Sequence, residues 1–119
     1  MTGKLREDWQ KAKKEAEKHG VPKDFFNHAD LGPKLDKAEK ALNDYDNYTG
    51  GDPAKTDKLK KAAAKAIKPA EQATLTYAKN AKAAKRHAEN HALQKAFDDL
   101  ETVLAMNIYH VLSGWSKRV

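Results

Sequence analysis

The fold is decided by residues 70–113, which read AEQATLTYAKNAKAAKRHAENHALQKAFDDLETVLAMNIYHVLS. This stretch contains no Gly and no Pro, and it is rich in Ala, Lys, Leu, Glu and Gln, which are strong helix formers. The composition therefore predicts helix throughout. A helical stretch of this length also needs a packing partner along its whole length, because most helical stability in proteins comes from tertiary packing.

Apolar residues follow two separate seams, one over residues 59–88 and the other over residues 93–115. At 100° per residue, the second seam lies about 170° away from the first. A single straight helix would therefore carry its apolar face on one side and then on the other. We expect the chain to reverse near Lys85–His91, with Asn90 as the N-cap of the next helix. The alternative is one long helix whose two halves pack on different partners, as in a domain-swapped dimer.

Start and stop signals divide the rest of the chain. Gly20 and Pro22 end a first amphipathic helix, and the segment Thr49–Pro53 (TGGDP) is the clearest loop. Asp52 reads as an N-cap with Pro53 in the first helical position. Pro69 falls inside the helix that follows, and because the apolar seam keeps its phase across Pro69, we expect a kink there and not a new helix.

These signals predict an all-α antiparallel helical bundle of about four helices, over residues 3–19, 33–48, 53–86 with a kink at Pro69, and 91–115. The length of 119 residues fits one helical domain over residues 1–119. We expect Phe25 and Phe26 to plug one end of the core, and Asp30 or Asn27 to cap the second helix.

The charge is concentrated in the middle of the chain. Residues 55–95 carry a net charge of +8, whereas residues 1–54 and 96–119 each carry −1. At helical spacing, the basic residues of this region form a stripe opposite the apolar seam, which we call the basic face. Its members are Lys58, Lys61, Lys65, Lys68, Lys79, Lys82 and Arg86. Such a face can bind a polyanion such as a nucleic acid or an anionic surface, but it is also typical of an ordinary solvated helix face.

The last helix has apolar side chains on almost every side between Val103 and Leu112. Such a helix is either surrounded by the other helices or covered by a partner. We therefore expect a protein interface that includes Met106, Tyr109 and Trp115, with Trp115 partly exposed after Gly114. The partner would be another protein or a second copy of this chain.

No pattern for catalysis or a cofactor is present in the sequence. It has no Cys, no Gly-rich phosphate loop, no nucleophile elbow and no HExxH. His87 and His91 have metal-ligand spacing, but no second pair accompanies them, and His19, His28 and His110 are isolated. We expect a non-enzymatic protein with no metal, no cofactor and no small-molecule substrate. Because no apolar run is long enough to span a bilayer and no signal peptide is readable, we expect a cytoplasmic protein.

Overall fold

The computed structural model describes residues 3–27 and 31–119, and these residues form helices and short connections without strands. Helix α1 covers Lys4–Lys18, a 3-10 segment covers Lys23–Asn27, α2 covers Leu31–Asn47 and α3 covers Pro53–Arg86. Helix α4 (His91–Thr102), a π-helical turn (Val103–Ile108) and α5 (Tyr109–Arg118) are continuous, and together they form the C-terminal helix. The prediction of an all-α bundle is confirmed. His28 and Asp30 lie outside the described residues, so the expected cap at Asp30 stays a prediction.

Helix α1 ends as its sequence predicts. Gly20 has a φ of 105°, a left-handed conformation that glycine adopts without steric cost. The Gly20 amide donates to the Glu17 carbonyl at 3.1 Å, and the Val21 amide donates to the Ala16 carbonyl at 3.0 Å. These two bonds are the Schellman pattern, and they satisfy carbonyl groups that the last turn would leave unpaired.

Two of the predicted N-caps, at Asp52 and Asn90, are present. Asp52 Oδ1 accepts a hydrogen bond of 3.0 Å from the Ala54 amide at the start of α3. Asn90 Oδ1 accepts one of 2.8 Å from the Leu93 amide at the start of α4. Pro69 lies inside α3, which continues through it, so the single helix is confirmed and the kink stays a prediction.

The predicted reversal between α3 and α4 is confirmed, because α3 ends at Arg86 and α4 begins at His91. The two arms pack against each other, and Lys85 at the end of α3 forms an ion pair of 2.7 Å with Asp98 on α4. The reversal needs no Gly or Pro, since the Asn90 cap and the two apolar faces define it. The long single helix of the domain-swapped alternative is therefore absent.

The molecule is a rod with principal extents of 58, 21 and 21 Å. Helix α3 accounts for most of this length, since 34 residues rise about 51 Å at 1.5 Å per residue. The C-terminal helix runs back along it, and Arg118 near its end pairs with Asp46 at the end of α2. Helices α1 and α2 pack on this hairpin, and an Arg6–Asp36 ion pair joins them.

The core is one cluster of buried apolar side chains contributed by every helix. Five aromatic side chains in or against this cluster have rings that contact one another, namely Trp9, Phe25, Phe26, Tyr77 and Phe97. The expectation that Phe25 and Phe26 plug an end of the core is wrong. Both pack near Tyr77, nine residues before the end of α3 and so about 14 Å inside the rod.

The π-helical turn explains how the C-terminal helix buries side chains spaced four residues apart. Leu100, Leu104, Ile108 and Leu112 are all buried. In an α-helix each four-residue step rotates by 400°, so three such steps would carry Leu112 about 120° away from Leu100. A π-helix closes its hydrogen bonds over five residues and holds more residues per turn, which offsets this drift.

Candidate interaction surfaces

Met106 is the most exposed apolar side chain of the C-terminal helix. It is 68% exposed, although Leu104 and Ile108 on the same π-helical turn are fully buried. Tyr109, one turn further on, is half-buried. Two of the three residues in the predicted interface are therefore at least partly exposed. Turns of π-helix occur frequently at functional sites.

Trp115 is not exposed, so the expectation that it forms part of the interface is wrong. It is only 8% exposed and is part of the core cluster. The sequence predicts Trp115 at the end of the helix over 91–115 and partly exposed after Gly114, but Gly114 has no positive φ and α5 continues to Arg118. Trp115 therefore stays in helical phase with Leu112 and packs inward.

A groove of about 430 Å³ opens beside Met106, between the C-terminal helix and the start of α1. It also reaches α2, so it combines three segments that are far apart in sequence. Its lining comprises Lys4, Leu5, Asp8, Glu39, Met106, Asn107, His110, Val111 and Trp115. We call it the Met106 groove.

Glu39 is the unusual residue of the Met106 groove. It is only 6% exposed, and its Oε1 atom is buried without a hydrogen-bond partner among residues 3–27 and 31–119. A buried carboxylate is costly unless it is paired or hydrogen-bonded. The carboxylate lies close to Gly3, at the start of α1, and the positive end of that helix dipole offsets part of the cost.

Neither of the two basic residues that line the groove pairs with Glu39. Lys4 and His110 line the groove but form no ion pair with Glu39 or Asp8 within the described part of the chain. The neighbouring carboxylate of Asp36 is occupied by Arg6. No sequence motif marks this arrangement, because Glu39 reads as an ordinary residue of an amphipathic helix.

The basic face lies on the surface as predicted, since the side chains of all seven residues are exposed. Lys61 pairs with Asp57 at 3.0 Å on the same helix. The face has no basic residue between Lys68 and Lys79, an interval in which Leu75 is 45% exposed. It therefore consists of a group of four cations and a group of three, separated by about 16 Å along α3.

Asp98, Asp99 and Glu101 form a short acidic cluster on α4, and its two aspartates pair with lysines of the bundle. Asp98 accepts a hydrogen bond from Lys85, and this bond raises the pKa of the Lys85 ammonium. Asp99 pairs with Lys95 on its own helix at 3.0 Å. At the other end of the rod, the hydrogen bond from Arg118 to Asp46 raises the pKa of the Arg118 guanidinium.

His87 and His91 lie at the two ends of the turn between α3 and α4 and are both exposed. Within residues 3–27 and 31–119, no group of three or more His, Asp or Glu side chains is arranged to hold a metal ion. In the same residues, no helix is both long enough and apolar enough to cross a membrane.

Comparison with known proteins identifies no relative of this chain. No family model matches the chain, and no curated protein or solved structure shows significant similarity to it.

Proposed function

We propose that this chain is a non-enzymatic helical-bundle interaction protein that self-associates through the C-terminal helix at Met106 and Tyr109. The observation that carries the proposal is the exposure of Met106, at 68%, on a π-helical turn in which Leu104 and Ile108 are buried. Met is flexible and polarizable, and it is common at protein-binding surfaces.

The exposed apolar area supports a weak association and not an obligate one. Burying one Met side chain contributes about 1.5–3 kcal/mol, and a stable interface buries roughly 1,200–2,000 Å² in total. Met106 and half-buried Tyr109 supply only part of such an area. A two-fold symmetric contact would use this surface twice, once from each copy.

Paired variants test the surface. Met106→Glu should abolish concentration-dependent association in sedimentation velocity, because it places a charge where an apolar contact is proposed. Leu75→Glu is the matched control, since Leu75 is the other exposed large apolar side chain of the described residues and lies on α3. Equal effects of the two changes, or no effect of Met106→Glu, would contradict the proposal.

The second candidate function is polyanion binding through the basic face. The supporting observation is that all seven cations are exposed on one helix, in the region that carries the net charge of +8. The face lacks interleaved aromatic residues for base stacking, so it favours contact with phosphates over reading of sequence.

A nucleic-acid titration at two salt concentrations tests this candidate. Neutralising about six phosphates predicts a slope of log affinity against log salt near −5. The variant Lys79→Glu/Lys82→Glu should weaken binding strongly, whereas Lys13→Glu/Lys14→Glu on α1 should change it less. Absence of binding at about 50 mM salt would exclude the candidate.

A further inference from the structure

The Met106 groove combines a buried, unpartnered carboxylate with an apolar lining. Glu39 is nine-tenths buried, and its Oε1 has no hydrogen-bond partner in the part of the chain that the structure describes. Leu5, Met106, Val111 and Trp115 supply apolar surface in the same groove. We propose that this groove binds a primary alkylammonium ion, with the ammonium at the Glu39 carboxylate and the alkyl chain against the apolar lining.

The charge of the groove selects a cation. Glu39 and Asp8 are its two carboxylates, and both would repel an anionic ligand. An uncharged apolar ligand would exclude water from Glu39 without pairing its charge, which is unfavourable. A cationic donor is attracted by both carboxylates and can pair the charge of Glu39. Its hydrogen bond to a carboxylate is also stronger than a neutral one.

The shape and lining of the groove select an alkyl chain over a bare ion. No cluster of three His, Asp or Glu side chains is arranged for a metal within the described residues. The volume of about 430 Å³ exceeds what an ammonium group alone would fill. Met106 is also unbranched and flexible, so it can follow an alkyl chain lying along the groove.

Lys4 is the internal competitor for the carboxylate. It lines the same groove but forms no ion pair with Glu39 in the structure. Its positive charge nevertheless repels an incoming cation. Removing this charge should therefore strengthen binding, whereas removing the charge of Glu39 should weaken it.

Chemical-shift titration of dilute full-length protein tests the inference, and dilution keeps Met106 free of a second copy. The probes are n-pentylamine, as a free amine, and Nα-acetyl-lysine N-methylamide, as a lysine side chain in a peptide. We expect both to shift the amides of residues 3–8 and 106–111, and the tighter of the two identifies the source of the ammonium group. The neutral analogue n-pentanol should bind at least about tenfold more weakly than n-pentylamine.

Three variants complete the experiment. Glu39→Gln should weaken amine binding by about tenfold or more, and Lys4→Gln should strengthen it by about twofold. Glu89→Gln, which makes the same charge change as Glu39→Gln in the turn before α4, should leave it unchanged. Equal binding of pentanol and pentylamine, unchanged binding by Glu39→Gln, or binding of neither amine would overturn the inference. It does not depend on self-association, so failure of one proposal leaves the other standing.

Discussion

The hydroxyl of Tyr77 donates a hydrogen bond of 2.7 Å to the carbonyl oxygen of Phe26. The bond is buried and joins the long helix α3 to the 3-10 segment between α1 and α2. Because the two residues are 51 positions apart in sequence, the bond fixes how the N-terminal helices sit on the hairpin.

Tyr77→Phe should lower the free energy of unfolding by about 1–2 kcal/mol, since it leaves a buried carbonyl without this donor. Urea denaturation followed by circular dichroism measures the effect. Tyr109→Phe is the control, because the Tyr109 hydroxyl has no hydrogen bond within the described residues. A loss for Tyr77→Phe no larger than for the control would show that the bond does not stabilise the fold.

Asn90→Ala should lower the free energy of unfolding by about 1 kcal/mol, because the Leu93 amide loses its capping acceptor. Asn90→Ser retains a capping oxygen and should cost much less. Urea denaturation of both variants checks the prediction. If Ala and Ser at position 90 gave the same stability, the cap would not define this turn.

Glu39→Gln should raise the free energy of unfolding by about 1 kcal/mol, because an amide is cheaper to bury than an unpaired carboxylate. Glu89→Gln at the exposed turn should stay within about 0.5 kcal/mol of the original protein. Thermal and urea denaturation provide the comparison. An unchanged or destabilised Glu39→Gln protein would contradict the prediction that the buried carboxylate has a net cost.

Asp98→Asn should lower stability slightly at neutral pH, because Lys85 loses the carboxylate that raises its pKa. A raised pKa in the folded state means that the pair stabilises the fold fully below the ordinary lysine pKa of about 10.4. This contribution is lost as the pH rises through the higher pKa of folded Lys85. The stabilities of the two proteins should therefore differ at pH 7 and converge in strong alkali, as measured by urea denaturation.

The side chains of Lys85 and Asp98 are both near half-exposed, so high salt should also reduce the difference in stability. A difference that is independent of pH and salt would exclude this ion pair as its source.

Local signals in the sequence predict much of the bundle. The caps at Asp52 and Asn90, the glycine at position 20 and the phase difference between the two seams each depend on neighbouring residues, and each is confirmed. The π-helical turn is different, because residues 103–108 contain no Gly or Pro and no local signal marks it, although it keeps Leu104 and Ile108 on the buried side. The burial of Trp115 follows from the same continuity of the C-terminal helix.

The two candidate sites also differ in how far the sequence predicts them. The basic face depends on the period of one helix, so the sequence places all its residues on the surface. The Met106 groove joins Lys4, Glu39 and Met106, which come from three helices. No spacing rule within one helix reveals that contact, and Glu39 becomes distinctive only when its surroundings are known.

Sedimentation equilibrium of the unmodified protein tests the central claim, which is self-association at the C-terminal helix. Self-association predicts an average mass that equals the 13.3 kDa of one chain at low concentration and rises toward twice that value at high micromolar concentration. An average mass that remains at 13.3 kDa over the whole concentration range would contradict it.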